Sequence, residues 1–248
     1  MEAYFNQLTN VREYAIILNV IILLEVFIIF LVEDIVKELS NNDNINAINE
    51  LKVQIQGINS NKNILIIGSG GSYISALLTK LIIEKNMPNL CEVLKPMEIL
   101  QSNLKLFSYA IIYSYKMKSY DINKTIKELL ELKNIKKIII VTSNNKNVNN
   151  DKIKYICYDP NNFEDTYISF KGIYYPTYLM LNCFDNLEVN ANKINDIKID
   201  YINNNIIDVF YDKENYHLAQ LIERHFCELG IVTVRLHEKQ DFSHGRMN

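Results

Sequence analysis

At 248 residues, with 48% hydrophobic and 22% charged side chains, the chain can bury one full core plus a smaller unit, which excludes an intrinsically disordered protein. A net charge of −3, with no basic stripe interleaved with aromatics, excludes nucleic acid as an electrostatic partner. Cys91, Cys157, Cys183 and Cys227 are scattered with no CxxC or Cys/His ligand spacing, so no metal site is expected, only reduced, packed thiols in a cytoplasmic protein.

Met1–Asn10 reads as a short leader. Arg12–Leu39 follows as a long helical pattern, very apolar from Ala15 to Val32 and close to the ~18–20 residues of a membrane span. Asn19 and Glu25 interrupt the run, and a carboxylate at mid-bilayer costs roughly 2.5–3.5 kcal/mol on insertion scales. The pattern predicts a helix buried on nearly all sides, in a subunit interface, with a membrane anchor as the competing reading. After a polar break at Ser40–Asn46, a shorter helix is predicted over Ile48–Ile58.

Ile64–Ile67 is a short β-branched run bounded by turn formers, the pattern of a buried parallel strand. A Gly/Ser turn, Gly68-Ser69-Gly70-Gly71-Ser72, leads into a helix with apolar Ile74, Leu77, Leu78, Leu81 and Ile82 on one stripe. A strand turning through glycines into a helix offers unpaired amides at the positive end of the helix dipole, a seat for an anion such as phosphate. Ser69 and Ser72 add hydroxyl donors there. Tyr73 stands where a dinucleotide fingerprint needs its third glycine, and no Gly-Lys-Ser/Thr ending makes a P-loop. A tight turn that binds nothing is the plainer alternative.

Further strands are predicted at Cys91–Leu94, Tyr109–Tyr113, Lys136–Val141 and Lys154–Tyr158, and helices at Ile122–Leu132 and Tyr167–Phe184, the last kinked at Pro176. This alternation implies right-handed βαβ units and a five-stranded parallel sheet with helices on both faces. Ligands bind such sheets beyond the carboxyl ends of the strands. The polar tips after strands one, three and four, with the loop Asp159–Asp165, are expected to converge there. Asn-rich 186–205 is a linker, and a partial second βαβ unit follows: strand Ile206–Tyr211, helix Tyr216–Leu229, strand Ile231–Leu236. The chain thus divides into N-terminal helices (1–62), an α/β domain (63–185), the linker (186–205) and the partial unit (206–248).

Gly68-Ser-Gly-Gly-Ser-Tyr-Ile-Ser-Ala resembles the first-strand loop of the sugar-isomerase (SIS) domain family, and the order of elements from Asn63 to Phe184 is similar to one complete SIS domain. The resemblance implies a flavodoxin-like fold, a sugar-phosphate ligand, no cofactor and a homodimer. It places Ser69, Gly70, Gly71 and Ser72 in the first phosphosugar loop, and Ser114 at the start of the second. Glu164-x-x-x-x-Ser169-x-Lys171 is similar to a run that contacts the sugar, although Glu164 also reads as a cap for the following helix. Leu221-Ile-Glu223 resembles the helix bearing the family's catalytic glutamate, and Phe242-Ser-His244-Gly245 its ring-opening His-Gly motif, supplied across a subunit boundary. The second loop departs from the family's small Ser-rich pattern, reading Tyr115-Lys116-Met117-Lys118. There Lys116 or Lys118 can give a charge-assisted contact to phosphate.

Aldose–ketose isomerisation needs a carboxylate base, a ring-opening group and fixed phosphate donors. Glu223 is the candidate base and His244 the candidate ring-opening acid/base, since imidazole titrates near neutral pH. The plainer readings are a solvated helix-face carboxylate and an exposed terminal histidine. The sequence thus supports a sugar-phosphate isomerase or a sugar-phosphate-binding module without turnover.

Overall fold

A computed structural model of the chain describes residues 44–144, 150–159, 171–184, 206–212 and 233–238, with positions 216, 219, 220, 222 and 223 between the last two. All of them belong to one of the two compact units into which the chain divides. The predicted leader, the helix over Arg12–Leu39 and the linker lie outside the described residues. Among the described residues no helix is long and apolar enough to cross a membrane.

Five strands form one all-parallel sheet: β1 (Asn63–Gly68), β2 (Cys91–Leu94), β3 (Phe107–Tyr113), β4 (Lys137–Thr142) and β5 (Ile153–Cys157), in the spatial order β2-β1-β3-β4-β5. The continuous apolar runs follow from burial on both faces, since Ile64–Ile67 and Ile138–Val141 are fully inaccessible to solvent. Alternation along the strands then divides the core in two. Leu65, Ile67, Ala110, Ile112, Ile138 and Ile140 face one side, where they meet Ile122, Ile126 and Leu129 of helix α3 (Tyr120–Glu131). The opposite side is covered by α1 (Ile45–Gln56), α2 (Gly71–Asn86) and α4 (Lys171–Asn182), with α2 packed on α4 and β1 and with α1 packed on α4 and β5. Each fully buried Ile or Leu contributes about 1.5–3 kcal/mol.

Two boundaries are set by tertiary bonds. Helix α1 begins and ends two to three residues before the predicted helix. Asn44 at its start donates from Nδ2 to the Asp159 carbonyl (3.3 Å) and accepts the Asp159 N–H on Oδ1 (3.0 Å), fixing the entry. Asn134 clamps the approach to β3, donating from Nδ2 to the carbonyls of Leu104 and Phe107, each at 2.8 Å.

Inside the core, Thr79 of α2 meets Tyr113 at the end of β3, hydroxyl to hydroxyl at 2.6 Å, both residues fully buried. Burial pushes the Tyr113 phenol upward, against the pull of that hydrogen bond. Thr79→Val keeps the shape but orphans the phenol, at an expected cost of about 1–3 kcal/mol; adding Tyr113→Phe restores part of it. Denaturant midpoints of the two variants and the wild type check this.

Cys91 and Cys183 are buried free thiols, each pushed by burial from 9.0 up to about 12. A raised folded-state pKa gives stability that is intact below the unfolded value near 9 and lost as pH climbs toward 12. Stability is therefore expected to fall between pH 9 and pH 12, and the Cys91→Ala, Cys183→Ala double variant to show a shallower fall over that window in reversible unfolding titrations.

The remaining strands, β6 (Ile206–Tyr211) and β7 (Thr233–Glu238), pair in parallel with Phe210 opposite His237. Their rings stack at 5.2 Å, and the His237 Nε2 lies 2.7 Å from Asp208 Oδ1. Tyr216, Ala219, Gln220, Ile222 and Glu223, between the strands in sequence, are helical, as a βαβ unit requires.

Candidate functional site

The sheet changes direction of winding between β1 and β3. The chain leaves β1 toward β2 on one side and leaves β3 toward β4 on the other. Because both crossovers are right-handed, α2 and α3 cover opposite faces, and a crevice opens between their starts at the carboxyl edge. β1 and β3 end level there, with Gly68 in register with Tyr113. The crevice is a cleft of about 320 Å³, lined by Ser69, Gly71 and Ser72 after β1, by the stretch from Tyr113 to Ser119 at the end of β3, and by Ile122 and Gly172.

Two glycines shape the first turn for different reasons. At Gly68 the strand passes so close to α2 that a Cβ would sit 2.3 Å from the Ser72 carbonyl oxygen. Gly70, which precedes the first turn of α2, has φ 62° and ψ −135°, a conformation that side chains resist. This turn aims the start of α2 at the cleft. The Tyr73 N–H is taken by the Gly70 carbonyl (3.0 Å), but the amides of Gly71 and Ser72 have no hydrogen-bond partner among the described residues. The helix has no acidic residue in its first turn to neutralise them. Ser72 is 9% exposed, and its hydroxyl, open to the cleft, has no partner among the described residues.

The loop after β3 is held from behind. The Tyr115 carbonyl accepts from the Ser143 hydroxyl (2.6 Å), the Ser143 amide (3.1 Å) and the Thr142 hydroxyl (3.1 Å). Asn144 Nδ2 donates to the Lys116 carbonyl at 2.8 Å, and Asn123 Nδ2 to those of Met117 (3.4 Å) and Ser119 (2.9 Å). The strand-four tip, expected at the site itself, instead braces this loop. Met117 adopts φ 52°, a left-handed conformation in a residue other than glycine. Tyr115 stacks on Tyr158, which stacks on Tyr175, at ring separations of 6.5 and 5.5 Å, while Lys116 Nζ lies 5.7 Å from the Tyr115 ring centre. Ser114 is again 9% exposed, lines the cleft, and has a hydroxyl without a partner among the described residues.

Of the residues singled out in the sequence, Ser69, Gly71, Ser72, Ser114 and Lys116 share the cleft wall, and Gly70 shapes the turn that brings three of them there. Glu223 is half-buried on the helical segment between β6 and β7 and does not line the cleft. Ser169 and His244 lie outside the described residues, as do Glu164 and the loop around it. Ser119 and Gly172 also line the cleft and were not singled out as site residues. Ser119 directly precedes helix α3, which carries Asp121 in its first turn. Among the described residues no group of three or more His, Cys, Asp or Glu side chains could hold a metal ion.

No family model matches the sequence, and no curated protein matches it. Solved structures do share its fold. The C-terminal domain of glucosamine-fructose-6-phosphate aminotransferase from Francisella tularensis is similar at 14% identity and TM-score 0.61, over 88% of this chain and 70% of that one. Tagatose-6-phosphate ketose/aldose isomerase from Escherichia coli is similar at 11% identity and TM-score 0.63, over 85% of this chain and 65% of that one. Glucosamine-6-phosphate deaminase from Thermotoga maritima is similar at 15% identity and TM-score 0.57, over 86% and 72%. The chain therefore spans about two thirds of the length of these structures. They establish the fold, which is the flavodoxin-like α/β arrangement of the sugar-isomerase domain.

Proposed function

We propose that this chain, built on the sugar-isomerase fold, binds a sugar phosphate in the cleft between β1 and β3 and exchanges its aldose and ketose forms. The observation that carries the reading is the pair of hydroxyls of Ser72 and Ser114. Each is about nine-tenths buried, lacks a partner among the described residues, and faces one cleft beside free amides. Two hydroxyls on the wall of one cleft, beside free amides, supply the donors that an oxygen-rich ligand needs. Glucosamine-fructose-6-phosphate aminotransferase, tagatose-6-phosphate isomerase and glucosamine-6-phosphate deaminase, which share the fold, all carry a phosphosugar in their names.

Ser69, Gly70, Gly71 and Ser72 form one wall of the binding cleft, Ser114 and Lys116 the other, with Ser169 as a further contact. Glu223 is the base that moves the proton between adjacent carbons through an enediol, and His244 opens the ring, both reaching the cleft from a second copy of the chain in a homodimer. Binding without turnover is the second reading, favoured by one observation: no carboxylate or imidazole among the described residues lines the cleft.

Incubation with a panel of aldose and ketose phosphates in deuterated water separates the readings. Saturable binding with deuterium entering the carbon next to the carbonyl supports the isomerase. His244→Ala is then expected to abolish turnover and leave binding intact. Saturable binding with no exchange leaves the binding module, and no binding to any sugar phosphate ends both.

A further inference from the structure

We infer that the open face of the β6–β7 sheet is the surface on which a second copy of this chain docks, the two sheets meeting face to face about a two-fold axis. The inference does not depend on what the cleft binds; it gives the proposed homodimer a surface. Alternation along the paired strands puts Ile206, Asp208 and Phe210 of β6 on one face with Thr233, Arg235 and His237 of β7. Ile206 and Phe210 are 40% and 43% exposed there, and Asp208, Thr233 and Arg235 are exposed as well. The opposite face holds the buried Val234, and Ala219 of the helical segment between the strands is buried too. A βαβ unit covers one face with its own helix, whereas parallel strands are normally shielded on both.

Charge and register make a second copy the occupant that fits. The face carries one acid, Asp208, and one base, Arg235, directly opposite each other on the paired strands. Asp208 meets His237 Nε2 through Oδ1, at 2.7 Å, which leaves Oδ2 for another donor. Arg235 has no ion-pair partner among the described residues. A two-fold axis running along the strands lays β6 of one chain over β7 of the other without sliding them. Because Asp208 and Arg235 are level, that rotation brings each Asp208 to the other copy's Arg235. It also sets Ile206 over Thr233 and Phe210 over His237. An acidic or a basic partner would match one of the two charges and oppose the other. The strands are six residues long, so the contact measures about 20 Å by 10 Å. That is well below the roughly 800 Å² per partner of a standard interface, so the dimer is expected to depend on concentration.

Sedimentation velocity of the full chain over a micromolar concentration series tests this, with sugar-phosphate titration as a separate readout of the cleft. The wild type is expected to pass from monomer to dimer as concentration rises. Asp208→Arg and Arg235→Asp each set like charges against one another, and each alone is expected to weaken self-association tenfold or more. Mixed in equal amounts, the two variants restore the opposite pairs. A heterodimer within about threefold of wild-type affinity is then expected. A wild type that stays monomeric overturns the inference, and if it still binds sugar phosphate the reading of the cleft stands. A single variant that associates like the wild type also overturns it. Loss in both variants without recovery in the mixture overturns the two-fold arrangement. If Asp208→Arg fails to fold for want of its bond to His237, Arg235→Gln decides. Weakened association supports the face, and unchanged association overturns it.

Discussion

Gly68→Ala is expected to prevent folding or to cost roughly 3 kcal/mol or more. The added carbon would lie 2.3 Å from the Ser72 carbonyl oxygen, 2.6 Å from its carbon and 2.8 Å from the Tyr73 Cα. All three are backbone atoms in the first turn of α2. No flexible side chain can swing aside, so either the strand or the helix must move. Both are locked: β1 pairs with strands on each side and α2 packs on α4. Gly57→Ala is the control. There the nearest atoms are 3.3 and 3.5 Å away and the backbone has φ −78°, so the change is expected to stay within about 1 kcal/mol. Urea unfolding of both variants decides, and a Gly68→Ala protein with the wild-type midpoint would show that the strand-to-helix contact is slack.

The second large effect is on binding. Ser72→Asp is expected to weaken any phosphate-bearing ligand by about two orders of magnitude or more while leaving the fold intact. A carboxylate in the first turn of α2 is favoured by the helix dipole, which offsets part of the cost of its burial. From there it competes for the amides of Gly71 and Ser72 and repels a phosphate within a few ångströms. A hundredfold loss corresponds to about 2.7 kcal/mol. Titration with inorganic phosphate and with a sugar phosphate, alongside thermal unfolding, provides the check. Retained affinity in a folded Ser72→Asp protein would remove α2 from the site.

Much of the fold was legible because its strands are unbroken apolar runs ended by turn residues, which is how parallel strands buried on two faces must read. Cys91–Leu94 and Ile206–Tyr211 coincide with the predicted strands, and the others shift by at most two residues. The first wall of the cleft was legible for a local reason, since glycines and serines between a strand and a helix announce their chemistry within five residues. What Gly68 does was not, because its constraint is a through-space approach to Ser72 that spacing alone does not reveal. The second wall was hidden for a similar reason. Thr142, Ser143 and Asn144 are the right residue types to touch a ligand, but their donors turn toward the Tyr115 and Lys116 carbonyls. Only the paired strands β3 and β4 bring those groups together.

The strand order also bears on how the chain assembles. β1 is the first of the five strands in sequence yet lies inside the sheet, between β2 and β3, so both of its hydrogen-bonding edges wait for partners made later. One of them, β3, begins at Phe107, with 38 residues between it and Gly68 at the end of β1. Until then Ile64-Leu65-Ile66-Ile67 is an uncharged, β-prone segment open to other chains. Aggregation during expression or refolding is therefore expected to begin at this segment, and a chaperone present early in synthesis to raise the soluble yield.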